Sequence, residues 1–201
     1  MKQKCAVITG ASRGIGAAAA ERFAAGGWNL ALSCVRSRET LEELARRLHA
    51  KWGITCLTYM GDMGREEAVR EFFGRIEESF GGAGVLVNNA GISRVGLLEE
   101  MSLEEWEEVM RTNVTSAFLC ARAAIPYMLR RKSGSIINVS SVWGCVGASC
   151  EAAYSASKGA VNALTRALAK ELAPSGIAVN AVACGAVDTD MNACFSPEER
   201  Q

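Results

Sequence analysis

Ten residues near the start of the chain, Val7-Ile8-Thr9-Gly10-Ala11-Ser12-Arg13-Gly14-Ile15-Gly16, restrict the fold more than any other stretch. An apolar run with strand character, residues 5–8, breaks into three glycines, and an alanine-rich helical stretch at 17–25 follows at once. The glycines therefore fall at a strand-to-helix turn. Lacking Cβ atoms, Gly10, Gly14 and Gly16 permit a tight turn, close backbone approach to phosphate oxygens and close packing of a helix whose N-terminus presents free N–H groups. A pyrophosphate is the ligand such a turn suits. The spacing is G-x-x-x-G-x-G rather than G-x-G-x-x-G, and an ordinary glycine-rich turn carries the same letters, so the rest of the chain has to decide.

The 201 residues, 49% hydrophobic and 22% charged, suit one soluble domain spanning 1–201 with a substantial core. Twenty-two basic residues balance 22 acidic ones, so no net field recommends nucleic acid or an anionic membrane as partner. The first strand begins directly after Met1-Lys2-Gln3-Lys4, which leaves no room for a signal peptide, and no apolar run reaches bilayer length; the expected address is the cytoplasm. Eight cysteines without a C-x-x-C pair read mainly as small reduced core residues, and the only histidine, His49, lies in a charged helical stretch as a solvated side chain. No metal site is expected.

Further along, short apolar runs at 29–34, 54–60, 84–88, 135–140 and 177–183 alternate with helical patterns at 38–51, 66–80, 103–131 and 151–172. This is βαβ repetition. Runs of Val, Ile, Leu and Ala without polar alternation suit strands buried on both faces, so the expected fold is α/β: a single doubly wound Rossmann-type domain, its parallel sheet covered by helices on both faces. Parallel strands align their carboxyl ends, and the polar residues gather there: the glycines, Asp62, Asn88-Asn89-Ala90-Gly91, Ser140-Ser141, then Cys184-Gly185 and Thr189. That edge is the expected site.

At the end of the second strand an Asp or Glu for a free ribose 2′-hydroxyl is missing, and Cys34-Val35-Arg36-Ser37-Arg38 offers guanidinium groups instead. With Arg13 in the glycine turn, they favour a 2′-phosphate and hence NADPH over NADH, although arginines that only solvate a helix start look the same. Tyr154 and Lys158, four apart, share a helical face, and a nearby ammonium is expected to lower the phenol from its usual value near 10 toward neutral pH. Ser141 supplies a hydroxyl able to donate to a substrate carbonyl, and Asn113, a polar interruption of 103–131, is suited to holding an internal water.

Taken together, Thr9-Gly-x-x-x-Gly-x-Gly16, Asn88-Asn-Ala-Gly91, Asn113, Ser141 and Tyr154-x-x-x-Lys158 resemble, in order and over essentially the whole chain, the short-chain dehydrogenase/reductase family. The nearest likeness is to its bacterial 3-oxoacyl-[acyl-carrier-protein] reductases. That resemblance implies hydride transfer from NADPH to a ketone, with Tyr154 giving the proton, Ser141 polarising the carbonyl, Lys158 lowering the Tyr154 pKa and holding ribose hydroxyls, and Asn113 anchoring a relay water. It also implies a cofactor site formed by Gly10, Ser12, Arg13, Gly14, Ile15, Gly16, Arg36, Asp62 and Met63 near adenine, Asn89, Ala90, Gly91, Tyr154, Lys158, Val187 and Thr189. Two departures from the family stand out. Cys184-Gly185 replaces its usual Pro-Gly, and the family's final helix and strand are missing, so the chain is expected to be C-terminally truncated.

Three functions fit this reading. The first is reduction of 3-oxoacyl thioesters on acyl carrier protein in fatty acid synthesis, with Arg130, Arg131 and Lys132 as a basic cluster for the acidic carrier. A second is oxidoreduction of another alcohol or ketone, such as a sugar alcohol or steroid, and a third is an NADP-binding fragment with little activity. The resemblance further implies a homotetramer. At the terminus Ser196-Pro197-Glu198-Glu199 carries a helix-start signature with few residues after it, which makes an uncovered edge on the sixth strand an expectation.

Overall fold

The computed structural model of the protein describes residues 4–189, so the helix start at Ser196 and residues Asp190 and Met191 lie outside the described residues. Six parallel strands, β1 (Cys5–Ile8), β2 (Asn29–Cys34), β3 (Cys56–Met60), β4 (Val85–Asn88), β5 (Gly134–Ser141) and β6 (Ile177–Cys184), form one sheet in the order β3-β2-β1-β4-β5-β6. The order reverses beside β1, between β1 and β4. That reversal opens the crevice at the carboxyl edge where ligands bind in open α/β sheets.

Helices α1 (Gly14–Ala25), α2 (Arg38–Trp52), α3 (Glu66–Phe80), α4 (Leu103–Met110), α5 (Ser116–Arg131), α6 (Trp143–Val146) and α7 (Ala152–Leu172) connect the strands. Two cores sandwich the sheet. Cys5, Val7, Tyr59, Phe72, Ile76, Met128 and Ile136 pack on the face covered by α3, α5 and α7, while Ala6, Ile8, Leu30, Leu32, Leu41 and Leu48 pack under α1 and α2. Neighbouring residues of β1 thus point to opposite cores, which is why its run is apolar without alternation.

Two departures from the sequence pattern have physical causes. The helical run 103–131 breaks at Arg111–Thr115 into a π turn, because Asn113 points inward and bonds to neighbouring segments. Strand β6 is covered only in its first half and on one face: Ile177 and Val179 are buried, but Ala178 and residues 180–183 are exposed, so the expectation of a strand buried on both faces does not hold there. Glycines in the left-handed conformation end α2 and α3, at Gly53 and Gly81, and a reciprocal Ser102–Glu105 box starts α4.

Candidate active site

The glycine turn is built by close approach. Gly10, at φ +63°, lies where a Cβ would come within 2.9 Å of Ala90 Cα, and a Cβ on Gly16 would meet Gly10 O at 2.5 Å and Asn89 Nδ2 at 2.6 Å. Only bare Cα atoms fit. The loop after β4 is clamped onto this turn: Asn89 N and Ala90 N both donate to Thr9 Oγ1 at 3.0 Å, and Asn89 Nδ2 donates to Thr9 O and Gly10 O, each at 3.0 Å. Among the described residues no side chain caps α1, so its first-turn N–H groups are presented toward the crevice, the arrangement that suits an anion. Gly14 (φ +55°) faces Thr189, whose Cγ2 would lie 3.4 Å from an added Cβ.

Across the crevice β5 and α7 bring the candidate reactive groups together. Ser141 ends β5 in register with Cys184 of β6, and its hydroxyl accepts a hydrogen bond from Trp143 N at 3.2 Å. Lys158 is buried; its ammonium donates to Val139 O at 2.8 Å and stands 5.6 Å from the centre of the Tyr154 ring. A Cβ on Gly91 would lie 3.3 Å from Asn113 Oδ1 and 3.4 Å from Lys158 Nζ, so this glycine leaves room in front of the ammonium. The residues present therefore fit a dinucleotide at both ends, phosphates on the glycine turn and a ribose before Lys158.

The electrostatics overturn one expectation. Burial pushes the Tyr154 phenol above 10, with the charges of Glu151 and Cys184 adding to the rise, and only a hydrogen bond from Ser141 opposes it. Burial acts on the Lys158 ammonium in the opposite sense and brings its pKa down to about 8. The phenol is consequently held in its neutral, proton-bearing form at pH 7. That is the form a proton donor needs.

A stability prediction follows from Lys158. Its pKa is lower in the folded chain (about 8) than the ordinary 10.5, so below pH 8 the cost of the buried cation is fully present. Between those values the unfolded chain binds more protons than the folded one, and stability contributed at this site rises with pH. Urea unfolding of the ligand-free protein should show this rise, and Lys158→Met should remove it, a difference of up to about 3 kcal/mol across the window. Identical pH slopes for the two proteins would contradict the burial argument.

The sequence model of the family described as short chain dehydrogenase matches residues 4–200. The chain belongs to that family. It is 41% identical to the 3-oxoacyl-[acyl-carrier-protein] reductase FabG of Staphylococcus aureus (strain Mu50) over 198 residues, covering 98% of this chain and 80% of the relative. It is 40% identical to the uncharacterized oxidoreductase YmfI of Bacillus subtilis, again over 98% of the chain and 81% of the relative. Among solved structures, L-sorbose reductase from Gluconobacter frateurii, complexed with NADPH and L-sorbose, superposes with a TM-score of 0.90 at 35% identity, covering 94% of this chain and 72% of that one.

In this short chain dehydrogenase several expected site residues also make contacts that hold the surrounding structure. Asn113 spends its amide on structure: Oδ1 accepts from Ile92 N at 2.8 Å, and Nδ2 donates to Ile92 O and Ser157 Oγ, both at 2.9 Å. Met63 buries its side chain in the core beside Val69 and Phe72, so only its backbone is left for adenine. Asp62 accepts from Gly64 N at 2.8 Å and lies 3.4 Å from Arg111 Nε. Ser12 and Ile15 are half-buried in the turn; Arg13, Arg36 and Val187 are exposed at the crevice edge, whereas Arg38 pairs with Glu42 at 3.3 Å.

Two surface expectations need correction. Arg130, Arg131 and Lys132 precede β5, so they sit at the opposite edge of the sheet from Ser141, about 23 Å away at the usual rise per residue. Arg130 is also paired with Glu77 at 2.9 Å, and the cluster does not flank the site. Of the cysteines, Cys5, Cys34 and Cys120 are core residues, and burial pushes Cys5 and Cys120 up to about 12. Cys145 is exposed, however, and Cys56, Cys150 and Cys184 are half-buried, so the core reading covers only part of the set. His49 is exposed as expected, with Nδ1 2.8 Å from Ile54 O.

Two further features of the site are not apparent from the sequence motifs. Buried Asn88 donates to Asn138 Oδ1 at 2.9 Å, and Asn138 to Thr165 Oγ1 at 2.8 Å, a polar chain tying β4, β5 and α7 together beneath the site. Asn138 within an apolar strand was its signal. The other is Glu151, buried at the start of α7 and hydrogen-bonded by Ser93.

Proposed function

We propose that this short chain dehydrogenase uses NADPH to reduce a 3-oxoacyl group on acyl carrier protein to the 3-hydroxyacyl form. The observation that carries a ketone reduction is the meeting of Ser141, Tyr154 and Lys158 at the carboxyl edge beside the glycine turn. NADPH, when bound, supplies the hydride to the carbonyl carbon. Tyr154 gives its phenol proton to the carbonyl oxygen, and Ser141 donates a hydrogen bond to the same oxygen as negative charge builds on it. The Lys158 ammonium holds ribose hydroxyls in the space that Gly91 leaves. Asn113 anchors a relay water, and that water returns the proton.

The carrier thioester is favoured by the 41% identity to the Staphylococcus aureus reductase. A second reading, a sugar ketone, is favoured by the likeness to L-sorbose reductase. The same account carries a cytoplasmic address and a homotetramer; no helix among the described residues is long and apolar enough to cross a membrane.

Arg13 and Arg36, exposed at the crevice, are expected to pair with a 2′-phosphate. Steady-state rates with acetoacetyl-carrier protein should give kcat/KM at least tenfold higher with NADPH than with NADH, a difference of about 1.4 kcal/mol. Equal use of both nucleotides would contradict the arginine assignment. Efficient reduction of L-sorbose with none of the thioester would favour the second reading.

A further inference from the structure

Glu151 forms the N-cap position of α7, yet its carboxylate makes no cap bond to the helix. Though only 8% exposed, it turns instead to Ser93, whose hydroxyl donates to Oε1 at 2.6 Å. The backbone holds both partners in place. Gly96 N donates to Cys150 O and Ser155 N to Glu151 O, each at 2.8 Å, while Asn113 grips Ile92 next to Ser93. The carboxylate is thus fixed three residues before Tyr154, against the loop that leaves the cofactor side of the crevice.

No cation neutralises it. Among the described residues no lysine, arginine or histidine pairs with Glu151; Arg94, the basic residue on the same loop, is held by Glu108 at 2.8 Å, and Lys158 donates to Val139 O behind the Tyr154 ring. Cys184 is the remaining titratable group facing Tyr154, from β6, and Ser141 supplies a neutral hydroxyl from β5. The Glu151 charge acts on the Tyr154 phenol three residues along the same helix start, so a substrate whose carbonyl reaches that phenol enters the same field.

We infer that Glu151, positioned by Ser93, is a specificity-determining residue that admits uncharged 3-oxo esters and thioesters and repels the 3-oxo acids, whose carboxylate lies one methylene from the ketone carbonyl. The inference rests on the reductase reading and deepens it: it explains how the site separates a 3-oxoacyl thioester from the free 3-oxo acid, which differ at this end of the molecule by a full negative charge. Repulsion in a partly desolvated site is weakly screened, so the discrimination should survive physiological salt.

The test compares NADPH-dependent reduction of ethyl acetoacetate, its N-acetylcysteamine thioester analogue and acetoacetate by wild type and Glu151→Gln. The wild type should favour both neutral substrates over the acid by tenfold or more in kcat/KM, and Glu151→Gln should narrow that ratio about tenfold, chiefly by raising the rate on the acid. A purely structural role would lower all three rates together and leave the ratio unchanged, which would overturn the inference. Wild-type rates on acid and ester within threefold of each other would overturn it without any variant, so a poorly folding Glu151→Gln does not rescue it. Failure of the wild type to reduce either neutral substrate would instead contradict the reductase reading itself.

Discussion

Tyr154→Phe should lower ketone reduction by about 10²–10⁴-fold while the dissociation constant for NADPH stays within about threefold of wild type. The phenol hydroxyl faces Ser141, not the glycine turn, and phenylalanine keeps the ring beside Lys158 while removing only the proton donor. Burial makes the expected loss large, because the hydroxyl is held neutral and ready to donate at pH 7. Fluorescence titration and steady-state kinetics on one preparation separate the two effects. A variant that kept most of its rate would move the proton donor to another group, with Ser141 the next candidate.

Gly16→Ala carries the second large effect. The added methyl would lie 2.5 Å from Gly10 O and 2.6 Å from Asn89 Nδ2, both parts of the clamp between the turn and the loop after β4. A backbone oxygen cannot yield as a flexible side chain does, so the turn itself must shift, at a cost of about 1–3 kcal/mol. Thermal melting should show a midpoint lowered by roughly 2–12 °C, and NADPH should bind at least tenfold more weakly because the first-turn N–H groups move with the turn. Gly74→Ala is the control: within α3 an added Cβ meets nothing within 4 Å, and replacing a helical glycine should leave stability unchanged or raise it by up to about 1 kcal/mol. Equal melting and binding for Gly16→Ala and wild type would contradict the close-approach account of the turn.

How much of this was legible beforehand depended on whether the information is local. Strand β2 and helix α3 occupy the residues that their apolar patterns predict, 29–34 and 66–80, because burial on a sheet or a helix face writes itself into spacing. The glycine turn was legible for the same reason, since a missing Cβ is visible in the sequence. The π turn at Arg111–Thr115 was not: its cause is Asn113 reaching Ile92 and Ser157, contacts across 21 and 44 residues that no local period encodes. The identities of Ser141, Tyr154 and Lys158 could be read, but their proton affinities could not. Spacing places an ammonium near a phenol, whereas desolvation, which raises one group and lowers the other, exists only once α7 is packed against β5. Glu151 escaped for a related reason: a single glutamate opening a helical pattern carries no sign of burial until the fold packs it against Ser93.

The central claim is that Tyr154, Ser141 and Lys158 reduce a 3-oxoacyl thioester at the expense of NADPH. Its most direct test is the stoichiometry of a single reaction, following NADPH absorbance and the acyl product together after mixing protein, NADPH and acetoacetyl-carrier protein. The account predicts one 3-hydroxybutyryl thioester formed for each NADPH oxidised. NADPH that binds and is never oxidised in the presence of the thioester would contradict it.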